Sequence, residues 1–469
     1  MKMNFMQVLF VSSCVGMVVA ICGCTTYTSP FVHKSEAELD AMEAQSVAAA
    51  EAFTTGDYAT SEQILARLGS EQTVSSPQYE MERVSVLLHQ GKHKEAHELM
   101  QKIRIDLEML FDEKSEKEAM SLWHGENKKV FKGDSHERAT FYALFALSFL
   151  ERGEWEDAER CVKNGLLCDS ANTRETQYNS DYVLLYYIGY VACKRSGRGS
   201  DAEEYLREMA RAIGDSKSIV ERIGNLTMPN AFLVVWGGVP PSYARGGEYD
   251  EIRHVIPGTP NPFSYLSVRH KGMEEFLALD GFADINFQAT TRGGREMDSV
   301  LKDKAAVKSG MEASGNILIV AGMGCFAAMG SGDAKVDLVF GCAGVGCFLL
   351  GGTFYIVGEC INSEADIRSW KTLPGEFLVV PLSLPEGQHE LELNGYRLRD
   401  QVARRKIGID VKTNTIAVAH TSIMHIKTLS NPTEMLLNSS VDIANAAVEP
   451  PSKNVPAEIN IIENKGGVK

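Results

Sequence analysis

Recognisable chemistry is what this 469-residue chain has least of. It contains no Gly-x-Ser-x-Gly elbow, no HExxH helix and no CxxC pair, so the usual nucleophilic and zinc-dependent hydrolase patterns are missing. Positive charge is also in deficit: 47 Lys and Arg stand against 62 Asp and Glu, a net charge of -15. That balance argues against nucleic acid as a ligand and against electrostatic adhesion to anionic lipid. Any lipid contact must then rest on apolar surface. The ten cysteines are irregularly spaced and make no disulfide framework. Cys161 and Cys168 would lie about 10 Å apart along a helix, too far to bridge. Buried small hydrophobes are the expected role for such cysteines. Neither a metal ligand set nor a cofactor is expected, and catalytic residues are expected to be none.

What is present begins at the N-terminus. Met1-Lys2 precede an uncharged apolar core, Phe5 to Ile21, which closes on Ile21-Cys22-Gly23-Cys24. A core this short, ended by small residues, fits a secretion leader better than a stop-transfer helix. A small residue directly before Cys resembles the lipobox of bacterial lipoproteins. The resemblance implies cleavage before Cys24, a diacylglycerol on its sulfur and a further chain, such as palmitate, on the new amine. Two or more chains anchor stably, because each buried CH2 contributes roughly 0.8 kcal/mol. An ordinary signal peptide cut nearby, or an N-terminal membrane helix, is the alternative. Thr25, which is not Asp, implies the outer membrane by the enterobacterial sorting rule, with the chain facing the periplasm.

After a tether (24–36), residues 37–225 are helical and repetitive. A Gly, a small residue five on and an apolar residue four further recur at Gly56-Ser61-Leu65, Gly91-Ala96-Met100, Gly153-Ala158-Val162 and Gly197-Ala202-Leu206. This spacing predicts a helix, a tight turn and a second helix packed back through its small residue. The first two repeats are 35 residues apart, near the tetratricopeptide period. Around the third, Tyr142, Phe145, Ala146, Phe149, Ala158, Val162, Gly165 and Ser170 fall in register with that family's large and small positions, so the segment resembles a tetratricopeptide repeat. The resemblance implies a superhelix whose concave groove binds a protein partner; an unrelated helical bundle is the alternative. Tyr182, Tyr186 and Tyr190, with Tyr178 before them, share one helix face and read as inter-repeat packing. Roughly 28 extra residues separate Gly91 from Gly153 beyond one period. They hold Trp123 and Phe131 among charges, either as a partner site or as a loop pinned by two aromatics.

At 226–314 the composition changes to short strands and one helix, with Ala231 to Trp236 an apolar β-rich run. Next comes a Gly-rich apolar hairpin, 315–360. Ile317 to Met329 carries no charge and neither does Leu338 to Gly358, 21 residues or about 31 Å as a helix. Small residues on both runs suit close helix contact in lipid. Two readings stand: a hairpin that enters a membrane and could join copies into a glycine-zipper oligomer, or one buried within the protein. Segment 361–430 alternates apolar and polar residues in four stretches and predicts a small antiparallel β module. The tail, 431–469, reads as flexible.

The string Ala365-Asp366-Ile367-Arg368-Ser369-Trp370-Lys371-Thr372-Leu373-Pro374, with Phe131-Lys132-Gly133-Asp134 and Glu137-Arg138 in the insert, resembles a family of uncharacterised bacterial lipoproteins with tetratricopeptide-like repeats. The resemblance implies a cell-envelope location beside other small outer-membrane lipoproteins. It supplies no activity. Trp123, Phe131, Lys132, Glu137, Arg138, Asp366, Arg368 and Trp370 are the candidate partner-binding residues; a structural Asp-Arg pair beneath a Trp is the other reading of the last three. The expected molecule is α+β and multidomain: an N-terminal tetratricopeptide-like solenoid, a helical hairpin and a small β domain. Its expected role is a lipid-anchored envelope scaffold that binds a periplasmic protein. An envelope-remodelling enzyme with a dispersed site, or a glycine-zipper membrane oligomer, is the alternative.

Overall fold

A computed structural model describes residues 32, 34–109, 130–170, 181–213, 228–261, 263, 265–270, 276–277, 279–291, 296–328, 334–361, 363–397 and 400–422. The leader with Cys24, Trp123, Tyr178 and the tail lie outside the described residues.

The described residues of the N-terminal region form four helical hairpins: α1 (Glu36–Thr55) with α2 (Tyr58–Ser70), α3 (Ser76–His89) with α4 (His93–Met109), α5 (Ser135–Leu150) with α6 (Trp155–Ser170), and α7 (Val183–Arg195) with α8 (Gly199–Ala212). Each turn is made by the glycine of the repeated motif. Gly56, Gly91, Gly153 and Gly197 have φ of 84°, 71°, 71° and 79°, the left-handed conformation that ends a helix at little cost only for Gly. The small residue five on is buried completely at Ser61, Ala96, Ala158 and Ala202, where the second helix meets the first. Helix α1 starts with a capping box, Ser35 with Glu38, and α5 with another, Asp134 with Glu137.

The hairpins do not stand alone. A middle sheet packs on them in the order β10-β1-β7-β6, built from β1 (Ala231–Gly237), β6 (Leu279–Asp284), β7 (Glu376–Leu382) and β10 (Ala417–Ser422). Strand β1 is buried along its whole length because it is covered on both faces. Its alternate residues Phe232, Val234 and Trp236 join the helical core. Ala231, Leu233 and Val235 join a second core against the outer sheet. That outer sheet, order β5-β4-β8-β9, comprises β4 (Tyr265–His270), β5 (Phe276–Leu277), β8 (Gly387–Arg397) and β9 (Asp400–Val411). The result is three layers: helices, sheet, sheet.

The fold class is therefore α+β, with a helical N-terminal region, a helical hairpin and a β region, as expected. Two details differ from expectation. Strands from 226–314 and from 361–430 form one sandwich, because β1 pairs with β7 and β10, and β4 pairs with β8. Strand β10 also runs parallel to β1, so the β region is not purely antiparallel. Periodicity marks strands but does not reveal partners, which is why the division at 314/361 was drawn through one core. A short hairpin, β2 (Ser242–Gly246) and β3 (Ile252–Ile256), and a helix, α9 (Ile285–Thr291), are the body's other elements among the described residues.

From it projects the long pair α10 (Glu296–Ala327) and α11 (Ala334–Cys360). Its backbones approach closely at two levels. A Cβ added at Gly351 would fall 2.7 Å from the Gly315 carbonyl, and one at Gly322 would fall 3.1 Å from that of Gly344. The outward positions carry Ile317, Val320, Met323, Val339, Leu349 and Ile356, all exposed. Only 11% of the residues in either helix's apolar window are buried. Burial of this hairpin inside the body, one of the two sequence readings, does not occur.

Candidate functional site

Sequence reasoning placed its candidate partner residues in two distant strings, and the fold brings them together. Asp134 opens α5, and Glu137 sits one turn in, directed back at the cap by the capping box. The Glu137 carboxylate accepts from the backbone N–H of Asp134 at 2.6 Å and of Trp370 at 2.6 Å. Arg368 holds Asp366 through two parallel bonds of 2.9 and 2.8 Å, and its remaining nitrogen donates to the Ser75 hydroxyl at 3.1 Å. Its guanidinium lies 5.6 Å from the centre of the Phe131 ring. The Trp370 indole donates to Ser85 and Thr372, both at 3.0 Å.

All of this is interior. Phe131, Glu137 and Trp370 are each 1% exposed, and Asp366 and Arg368 are also buried. Segment 365–373 is an irregular peptide of the chain itself, with a turn at Lys371–Thr372, seated on the faces of α1, α3 and α5. Gln78 donates to the Ser369 carbonyl at 2.9 Å, and Thr372 donates to the Glu82 carbonyl at 3.0 Å. Lys371 reaches Glu43 at 2.9 Å and the fully buried Glu82 at 3.7 Å. Burial drives the Glu82 carboxyl up, against the Lys371 charge that favours ionisation. Helices α3, α5 and α7, the first members of their hairpins, are buried almost throughout beneath this peptide and the middle sheet. The face that a helical solenoid would offer a partner is filled from within. Lys132 and Arg138 are half-buried at its margin and are also engaged. Trp123 lies outside the described residues. The Asp366–Arg368 pair under Trp370 thus has the geometry of the structural reading.

A second feature was not singled out in the sequence. His89, His93 and His97 recur every four residues across the α3–α4 turn, a spacing visible in the chain. With His420 of β10 they line a cleft of about 840 Å³ between the turn-side ends of α3, α4 and α5 and the strands β9 and β10. The Trp236 indole donates to His420 Nδ1 at 3.1 Å. Nδ1 is therefore the acceptor, and the proton of this neutral ring sits on Nε2. Burial holds His420 well below the ordinary histidine value, helped by the charges of His93 and His89. His93 goes the other way. Burial lowers it, but the Glu151 carboxylate, 3.0 Å from Nδ1, outweighs that and raises it. His97 Nδ1 meets the Ser148 hydroxyl at 2.9 Å, and Ser148 donates to the Phe145 carbonyl at 2.7 Å. Both are buried, so this pair ties α4 to α5 rather than presenting a nucleophile.

For metals, Glu159, Cys193 and Asp201 are the one suitable group among the described residues. Arg198 and Lys163 already neutralise Glu159. Burial pushes the Cys193 thiol up to about 11. The set behaves as an ion-pair cluster.

The chain matches no family model, no curated protein and no solved structure.

Proposed function

We propose that this chain is a membrane-anchored scaffold of the bacterial cell envelope, tethered by acyl chains on Cys24, that carries a rigid α/β/β body and engages a protein partner. The observation that carries this reading is the α10–α11 pair. Two apolar helices that leave a folded body with their large side chains outward have no favourable place in water. Each exposed Leu, Ile or Phe moved into lipid contributes up to about 1.5–3 kcal/mol, and eight such residues project here: Ile317, Phe326, Phe340, Phe348, Leu349, Leu350, Phe354 and Ile356.

Depth can be estimated from the base. The Tyr249 hydroxyl donates to Glu312 at 2.7 Å, which fixes the level where the body ends. From there to Ala327 the helix rises about 22 Å, less than the roughly 30 Å of an average hydrocarbon core. A thin bilayer suits it best. The close Gly315–Gly351 and Gly322–Gly344 approaches are spent inside the hairpin. That favours a self-contained membrane element over a glycine-zipper contact between copies. The scaffold reading also changes in one respect: because segment 365–373 fills the inner face of the helical hairpins, the partner must be met elsewhere on the body.

The test is fractionation of a Cys24→Ala form with and without residues 317–358, the membranes being washed with high salt and carbonate. The proposal expects Cys24→Ala to remain in the washed membrane and the double variant to be released. Release of Cys24→Ala alone would refute membrane entry by the hairpin.

A further inference from the structure

The cleft beside the histidines has three properties that together describe a ligand. It is lined by positive charge in a chain of net charge -15: Lys94, Arg152, Arg405, Lys406 and Lys412 face it, against Glu151 and Asp410. Most of these cations have carboxylate partners, but Lys406–Glu390 and Arg152–Glu154 are exposed pairs of the kind that contribute little and exchange readily. Arg405 spans the cleft, donating to the Ser422 carbonyl at 3.1 Å.

It is also bordered by a sheet edge. Strand β10 is the last in the order β10-β1-β7-β6, and no strand among the described residues pairs with its outer side. The N–H of Ala417 turns inward to the Asn230 carbonyl, whereas that of Ile416 turns outward to Leu150. Strand alternation then directs the backbone groups of Val418 and His420 outward, into the cleft. Finally, the Trp236 bond leaves His420, which lines the cleft, with Nε2–H as its donor.

We propose that this cleft binds an extended acidic peptide of a partner protein, which pairs with the outer edge of β10 at Val418 and His420 and sets its carboxylates on Arg405, Arg152 and Lys94. Backbone pairing supplies affinity and the flanking cations supply selectivity, as in other strand-addition sites. Among the described residues the cleft histidines form no group of three ligand atoms close enough to share a metal ion. The inference deepens the scaffold reading by giving it a partner surface away from the filled inner face.

The test uses the full chain in detergent and fluorescence anisotropy of a labelled peptide of alternating Glu and Val. Controls are the same peptide with Lys for Glu, an N-methylated version that cannot pair as a strand, and inorganic phosphate as competitor. Binding of the Glu peptide alone, weakened at least tenfold by Lys94→Glu with Arg152→Glu and by high salt, supports the proposal. Both substituted side chains are exposed, so the fold is retained, which thermal unfolding verifies. No binding by the folded protein overturns it. So does equal binding of the N-methylated peptide, or full displacement by phosphate at millimolar concentration, which would mark a small-anion site. Since no membrane enters the measurement, its failure is distinct from failure of hairpin insertion.

Discussion

Glu137 spends both carboxylate oxygens on backbone N–H groups, those of Trp370 and Asp134, and is itself buried. Burial first, and then the charge of Asp134, raise its carboxyl above the ordinary value of 4.5. A carboxyl raised in the folded state binds its proton more readily there than in the unfolded chain. Its stabilisation is complete below about 4.5 and is lost as pH rises through the folded value. Glu82 is shifted in the same direction by burial. The Glu137 and Glu82 contributions should therefore slope downward from pH 4.5 towards neutrality in denaturant titrations, against the upward slope that the depressed His420 contributes below its ordinary 6.5. Glu137→Gln should flatten the downward slope while lowering stability at acid pH by about 1–3 kcal/mol, because one backbone N–H then faces a donor. Equal slopes in the two proteins would show that Glu137 does not titrate differently on folding.

At the scale of elements, the hairpin separates glycines that are needed from glycines that are free. Gly351 lies against the Gly315 carbonyl, whereas Gly352 has open space where a side chain would go. Gly351→Leu should therefore pry α10 from α11, read as a lower unfolding temperature in detergent, by several degrees relative to Gly352→Leu. Both substitutions add the same apolar group, so equal temperatures would mean the helices do not pack as described.

The helical elements were legible because their signals are local: a left-handed turn needs glycine, and a close crossing needs Ser or Ala five residues on. Gly56, Gly91, Gly153 and Gly197 satisfy both. The pairing of β1 with β7 and β10 was not legible, since side-chain alternation records a face and not a neighbour. The same limit applied to the candidate site. Phe131, Glu137, Asp366, Arg368 and Trp370 were recognisable as a set, but whether they face a partner or each other depends on the path of segment 365–373. The cleft was half-visible. The four-residue spacing of His89, His93 and His97 could have marked it, whereas His420 arrives from the far end of the chain.

At the scale of the molecule, the described body holds itself closed, with an apolar hairpin and the cleft beside His420 turned outward. The helical layer receives its own peptide, the middle sheet is covered on both faces, and the charged contacts of Asp134, Arg253, Asp366 and Arg368 are internal.

The most direct measurement is flotation of the purified chain from residue 25 onward, which carries neither Cys24 nor the apolar stretch Phe5 to Ile21, with neutral phosphatidylcholine vesicles in a density gradient. The account predicts that the protein rises with the vesicles at low and at high salt, because insertion rests on apolar surface and not on charge. Protein that stays at the bottom while folded would contradict it, and the exposed hairpin would then have to be covered by something other than lipid.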